Sequence, residues 1–336
     1  MAPQLVKALL FLAGIQILTA ARAEALGALP AETPAMQCEK GEETCVSETD
    51  SDTRASVTMM TWNVCGFDCD GGANAGGLTR VAAFLRDTQK SGGLDVVALN
   101  ELNGLDDETL ADLANQSGFA YSVLMRVPSG YHLGILSREN LTEVERHTAP
   151  FHHGLLEACS FGVHWLVTHL SPVDSVARLL ETKAIAARIH ALTSTPQSVP
   201  VVLLGDLNTL SPQDDLGDLA QLLDKDPRLR RKFLVPHRPG TAPRVDIRPL
   251  QSLLDAGLQD MAPNGSATVP THVRTDPMHA FDMRLDYALY VGEKLAARAP
   301  AEAMRDARTA LLSDHYPVRG ALWTGASDQA SRSGLA

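Results

Sequence analysis

The sequence predicts a single α/β domain over about residues 57–324, and three observations point to it. Apolar runs rich in β-branched residues alternate with helix-periodic segments through one continuous stretch, the order that builds layered α/β architectures. The chain has 336 residues, 45% hydrophobic and 21% charged, enough to bury one sizeable core. No internal repeat divides the stretch.

The elements follow in order. Lys7, the apolar run ALLFLAGIQILTA and the small residues ARA at 21–23 make a secretory signal peptide over residues 1–23. An uncleaved membrane anchor is the alternative, but the apolar run is shorter than the roughly 20 residues a spanning helix needs. Once the signal is cleaved, no stable membrane insertion is expected. Residues 24–56, rich in Glu, Ala and Thr without periodicity, are expected to form a flexible leader.

SVTMMTWNV then reads as a strand, followed by a Gly-rich loop (66–77) and a helical LTRVAAFLRDTQK. LDVVALNEL reads as a buried strand, and DDETLADLANQSG as a helix with acids at its start and Gly after it. FAYSVLM, LGILSR and SFGVHWLVTHL are strand-like. Residues 174–192 predict an amphipathic helix whose apolar face carries Val176, Leu180, Ala184, Ala187 and Ala191. VPVVLLGDLN is another buried strand, RLDYALY and PVRGALW are the last two, and residues 325–336 form a disordered tail.

Composition narrows the function classes. A net charge of −11 argues against tight, non-specific coating of nucleic acid, and 5% aromatic residues suggest no stacking platform for single strands. All five cysteines follow the signal, so an exported chain is free to form disulfides. Cys38/Cys45 and Cys65/Cys69 are close enough to pair locally, leaving Cys159 free; unpaired thiols throughout are the alternative. No cysteine or histidine spacing suggests zinc.

The apolar strands share a habit: each ends or begins in a polar cluster. MMTWNV delivers Asn63, VVALNEL delivers Glu101, and VHWLVTHL delivers His169. VVLLGDLN delivers Asp206 and Asn208, RLDYALY starts with Asp286, and LLSDHYP presents Asp314 and His315 before the last strand. Singly, each has a bland account: a turn former, a helix-start acid, a hydrogen-bonded core histidine. Together they point to a common site, because buried charges are costly unless paired or bound to metal.

The segments TWN, NEL, GILSR, THL, GDLN, LDY and SDHYPV occur here in the order seen in the endonuclease/exonuclease/phosphatase superfamily, and the chain resembles that superfamily over nearly all of 57–324. GDLN with a downstream SDHYPV is the specific part. The resemblance implies a four-layer αββα sandwich of the deoxyribonuclease I type, two packed mixed sheets flanked by helices, with the site at one edge. It also implies metal-dependent hydrolysis of phosphate esters. Two departures stand out: Asn100 occupies the place where Gln is more usual, and residues 120–138 lack the acid that deoxyribonuclease I uses there.

In this reading Glu101 holds Mg²⁺, or Mn²⁺, with Asn63 and Asp314 completing or supporting its shell, since oxygen donors suit a hard cation. His315 activates water, and Asp286 fixes its tautomer. Asp206 positions or helps deprotonate the nucleophile, Asn208 donates to the phosphate, and His169 serves the phosphoryl oxygen or the leaving group. Residues 228–248 hold Arg228, Arg230, Arg231, Lys232, Arg238, Arg244 and Arg248 against one acid, Asp246. From this island Arg230, Arg231 and Arg238 are expected to contact substrate phosphate; a solvated loop balancing Asp214, Asp215 and Asp218 is the alternative.

Three functions compete. The first is a secreted phosphodiesterase or nuclease. The second is an enzyme cleaving a phospholipid or inositol phosphate, and the third a non-catalytic binding member of the same fold. The partner is a phosphate ester, either nucleic acid or a phosphorylated small molecule or lipid, and the oligomeric state is left open.

Overall fold

The computed structural model describes residues 55–69, 76–194, 199–236, 238, 240–273 and 280–325. The signal peptide, the leader up to residue 54, the Cys38/Cys45 pair and the tail beyond 325 lie outside the described residues.

Two six-stranded sheets pack face to face. In the first, β1 (Ala55–Asn63), β2 (Val96–Asn100), β3 (Tyr121–Met125), β4 (Leu133–Ser137), β11 (Leu295–Ala303) and β12 (Val318–Thr324) run in the order β11-β12-β1-β2-β4-β3. In the second, β5 (Thr142–His147), β6 (Leu155–Ser160), β7 (Val163–His169), β8 (Val201–Asp206), β9 (Gln259–Asp260) and β10 (Asp286–Val291) run β5-β6-β7-β8-β10-β9. Helices α1 (Gly77–Gly92) and α2 (Asp107–Ser117) cover the first sheet; α3 (Ser175–Thr193) and α6 (Arg248–Asp255) cover the second. The short α4 (Leu219–Leu223) and α5 (Pro227–Phe233) lie between β8 and α6.

Strand alternation explains the layering. Met59, Val96, Ile135, Leu156, Trp165, Val167, Val202 and Ala288 point between the sheets into one buried cluster. Their neighbours Met60, Trp62, Val97 and Leu99 point the other way, onto Val81 and Leu85 of α1 and Leu110 and Leu113 of α2. Leu166, Val201, Leu203 and Leu289 do the same against Ile185 and Ile189 of α3 and Leu250 and Leu253 of α6. Strands buried on both faces read as continuous apolar runs, which is why these were visible in the sequence.

Each sheet contains one parallel pair, and this positions the site. β1 and β2, joined by α1, align Asn63 with Asn100; β7 and β8, joined by α3, align His169 with Asp206. The antiparallel β10 begins with Asp286 beside Asp206. The C-terminal ends of both parallel pairs thus converge at one edge of the sandwich, where α/β sheets commonly bind ligands. Asn100 bridges the sheets there: its Nδ2 donates to the Thr168 carbonyl at 3.1 Å and its Oδ1 accepts the Asp206 N–H at 3.0 Å. The departure from Gln at this position therefore has a structural use.

Three findings differ from expectation. β5, β6, β9 and β11 are strands the sequence does not predict; β5 and β11 are sheet edges, β5 mostly polar and β11 mostly alanine with a proline, so no run of large β-branched residues marks them. Cys159, expected to be left unpaired, is disulfide-bonded, whereas Cys65 and Cys69 pair as anticipated. And α3 faces the other way. Asp174 caps it through the Ala177 N–H at 2.8 Å, but Val176 and Leu180 are 50% and 60% exposed while Arg178 and Glu181 are buried.

The inversion of α3 has a physical cause. Glu181 accepts the backbone N–H of His152 at 2.7 Å and of Ser171 at 2.9 Å. Arg178 donates to the carbonyl of Ser171 at 2.7 Å and to that of Lys232. Two side chains of one helical turn hold two loops and the last turn of α5, and that role keeps both inside.

A second charged group lies between β5, β6, β7 and α3. Glu157 is fully buried; its oxygens meet His164 Nε2 at 2.9 Å, His147 Nε2 at 2.9 Å and the guanidinium of Arg188 at 2.9–3.0 Å. Burial alone would push the Glu157 carboxyl up, but the hydrogen bonds from His164 and Arg188 bring it down to about 2.

Candidate active site

The strand ends open onto a cavity of about 590 Å³. Glu101, His169, Asp206, Asn208, Asp314 and His315 line it, six residues that the sequence had marked from distant segments. Asn63 and Asp286 are buried and joined to that lining by hydrogen bonds.

Local backbone geometry turns these side chains inward. Glu101 (φ 60°) and Asn208 (φ 48°) adopt left-handed conformations just past β2 and β8, uncommon for residues with a Cβ and recurrent at functional sites. Gly205 (φ 147°) lets β8 approach β7, since a Cβ there would stand 1.9 Å from the Thr168 carbonyl oxygen. The 313–315 turn is fastened to β1 from both sides. Ser313 Oγ donates to the Asn63 carbonyl at 2.6 Å, and Trp62 Nε1 donates to the His315 carbonyl at 3.0 Å.

Asp206 sits at the centre. One of its carboxylate oxygens takes Asn63 Nδ2 at 3.1 Å and lies 3.4 Å from His169 Nε2 and 3.7 Å from His315 Nε2; the other takes the Asn208 N–H at 2.9 Å. Burial works against its charge, but interactions with His315, His169 and Lys232 around it hold the carboxyl below its ordinary value. His315 Nδ1 meets Asp286 Oδ2 at 2.7 Å. Burial disfavours its charged form, yet the carboxylates of Asp286 and Asp206 outweigh that and raise it to about 10. Burial pushes the Asp286 carboxyl up.

Asn63 is placed to support the metal shell through Glu101. Its Oδ1 accepts the Cys65 N–H at 3.0 Å, and its Nδ2 donates to Glu101 Oε1 and Asp206 Oδ2, both at 3.1 Å. It orients the two acids and offers them no competing oxygen. Among the described residues, the carboxylates of Asp68, Glu101, Asp206 and Asp314 line the cavity, with Asp286 behind His315, and exceed its permanent cations, where Lys232 is the one lysine or arginine. Clustered hard oxygen donors with excess negative charge fit a divalent cation of the Mg²⁺ type. Glu101 and Asp314 would hold it: both face the cavity, and Glu101 is the more exposed of the two, at 18%. Cys65 and Cys69 lie close to Asp314, but their sulfurs are tied in the disulfide and offer no thiolate.

The predicted arginines are elsewhere. Arg230 and Arg231 point outward from α5 to Asp224 at 2.6 Å and Asp174 at 3.6 Å, and Arg238 is exposed; none lines the cavity. Helical spacing explains this. Leu229, Lys232 and Phe233 share the inner face of α5, so the lysine between the arginines is the residue turned in.

Sequence reasoning also missed a wall of rings. His153 stacks on His169 with centroids 4.4 Å apart, and Tyr131 meets both edge-on at 5.0 and 6.5 Å. Burial and the neighbouring His169 and His152 push the His153 imidazole down to about 2, so it is neutral. Its Nδ1 pairs with Ser129 Oγ at 2.8 Å. Neither His152-His153 nor Tyr131 follows an apolar strand, so the signal that revealed the acids could not reveal these.

Comparison with known proteins agrees with this geometry. A model described as the Endonuclease/Exonuclease/phosphatase family matches residues 60–315. A truncated TDP2 from Caenorhabditis elegans superposes with a TM-score of 0.51 at 18% identity, covering 80% of this chain and 98% of that one. An AP endonuclease from Archaeoglobus fulgidus gives 0.54 at 16%, covering 79% and 98%. The 3′ phosphatase NExo from Neisseria, bound to a product DNA hairpin, gives 0.54 at 17%, covering 79% and 98%. At these identities the likeness shows the fold. No curated protein matches.

Proposed function

The chain belongs to the endonuclease/exonuclease/phosphatase family, and from that premise we propose that it is a secreted, Mg²⁺-dependent phosphodiesterase whose substrates include nucleic-acid phosphodiesters. One observation carries the reading: acid, amide and imidazole groups from six strand ends meet in a single cavity. The DNA hairpin bound to the Neisseria phosphatase supports the substrate class.

The residues divide the work. Glu101 and Asp314 would hold the divalent ion, whose chemistry when bound is to offset charge on the phosphoryl oxygens. Asp206, kept ionised by the groups around it, accepts the proton of the attacking water. His315, fixed by Asp286, presents Nε2 on the same side and donates to a phosphoryl oxygen. His169 supplies a second imidazole to the phosphate, and Asn208 is anchored through its Nδ2 to the Leu170 carbonyl at 3.0 Å. Of the two candidate bases, Asp206 and His315, this assigns the role to Asp206, because the two flanking acids favour the imidazolium of His315.

The signal at residues 1–23 is the basis for secretion, and the Cys65–Cys69 disulfide beside the cavity suits an oxidising compartment. Among the described residues, no helix is long and apolar enough to cross a membrane.

A phospholipase C-type activity is the second reading. Val173, Val176 and Leu180 are exposed at 41%, 50% and 60%, next in sequence to Pro172, which lines the cavity. That apolar ridge offers a lipid contact.

Hydrolysis of bis-p-nitrophenyl phosphate with MgCl₂, abolished by EDTA, is the decisive measurement; absence of release would leave a binding protein. Plasmid nicking set against sphingomyelin hydrolysis separates the two substrate readings.

A further inference from the structure

Lys232 is a buried lysine of unusual placement. It is 4% exposed and lines the cavity. Among the described residues, no hydrogen bond or ion pair holds its Nζ, which lies 5.1 Å from the centroid of the Phe233 ring. Its main chain, by contrast, is pinned. The Lys232 carbonyl accepts from Arg178, and Leu229 and Phe233 pack α5 onto the body of the protein. The scaffold sets this position, with no carboxylate seated on the ammonium.

A buried ammonium with three unused donors is costly unless a ligand completes it. Burial pushes Lys232 down to about 8, against the pull of Asp206, Asp314 and Glu101, so it stays largely protonated at neutral pH. A lysine that served these acids as a counterion would sit in contact with one of them. With a cation at Glu101 and Asp314, the donors of Lys232 are left for an incoming anion.

Resting on the hydrolase reading above, we propose that Lys232 is the phosphate-binding cation of the cavity, taking a non-bridging oxygen of the substrate's phosphoryl group. Its partner is any phosphate mono- or diester small enough to bring that oxygen to the inner face of α5. Lysine is a point-charge donor suited to such an oxygen, whereas the outward Arg230 and Arg231 are committed to Asp224 and Asp174.

The test uses inorganic phosphate as ligand, in MgCl₂, with the full chain. Calorimetry should show Lys232→Met, which keeps the aliphatic stem, weakening phosphate binding by about tenfold or more, with Lys232→Arg retaining most of it. In the wild-type protein, phosphate should slow acetylation of Lys232 by acetic anhydride, read by mass spectrometry, which decides the matter even if the Met variant fails to fold. Binding by a folded Lys232→Met within about twofold of wild type, or labelling that phosphate leaves unchanged, overturns the proposal. If phosphate binds through Lys232 but bis-p-nitrophenyl phosphate is not cleaved, the hydrolase reading falls and this one stands. If cleavage is normal and Lys232→Met binds phosphate like wild type, the reverse holds.

Discussion

Two buried groups of acids and imidazoles sit in the same sheet and have opposite characters. Around Glu157, both carboxylate oxygens are taken by hydrogen bonds from Arg188, and one of them also by His164, all from this chain; His147 Nε2 lies 2.9 Å away without a hydrogen bond. Around Asp206, the acids exceed the cations and face an open cavity, with His169 Nδ1 and Asp286 Oδ1 left without hydrogen bonds. Residue type alone does not distinguish the two groups. What differs is whether the polar valences are closed by the protein or left for something else, and only the second arrangement can do chemistry.

Substitutions should bring out this difference, and the largest effect belongs to Asp206. Asp206→Asn is expected to lower kcat on the order of a thousandfold and to lower thermal stability as well, because a carboxyl held below its ordinary value by the groups around it contributes to the fold at neutral pH. Near-normal turnover alongside a fallen Tm would make Asp206 a packing residue like Glu157.

Glu157→Gln should cost stability alone. It leaves Arg188 and His164 without their anion and is expected to cost about 2–4 kcal/mol in urea unfolding at pH 7, with turnover per folded molecule intact. Its pH dependence has a definite sign. The folded carboxyl lies at about 2, below the unfolded value, so its contribution is present at neutral pH and is lost as pH falls from about 4.5 towards 2. The variant should flatten the stability profile across that window.

A smaller change is expected at the metal. Glu101→Gln should weaken Mg²⁺ affinity by about tenfold, measured as the metal concentration that half-restores activity after EDTA. An unchanged titration would move the cation to another pair of acids. Smallest of all, Leu180→Lys should alter stability by no more than about 0.5 kcal/mol, since that side chain is solvated. A loss of several kcal/mol would restore the helix face that the periodicity suggested.

Much of the site was legible in the sequence because its acids and imidazoles stop apolar strands that are buried on both faces. Asn63, Glu101, His169, Asp206 and Asp286 are all readable in that way, and the resemblance added the layer order. Lys232 was hidden by its neighbours: with four basic residues among the seven of α5, composition cannot say which one a short helix turns inward. The inner face of α3 was hidden for a related reason. Arg178 and Glu181 look like solvent residues until the carbonyls and N–H groups of two loops and of α5 are seen around them. β5 is mostly polar and β11 mostly alanine, so neither carries the large β-branched residues that mark a buried strand.

The paired grip of Arg178 and Glu181 carries a lesson for anyone who would redesign this protein. Segments far apart in sequence lean on one turn of helix, so substitutions at 178 and 181 should show epistasis, and scores collected one position at a time will mispredict their combination. Transplanting the chemistry onto another scaffold would require carrying over that inner turn along with the reactive groups.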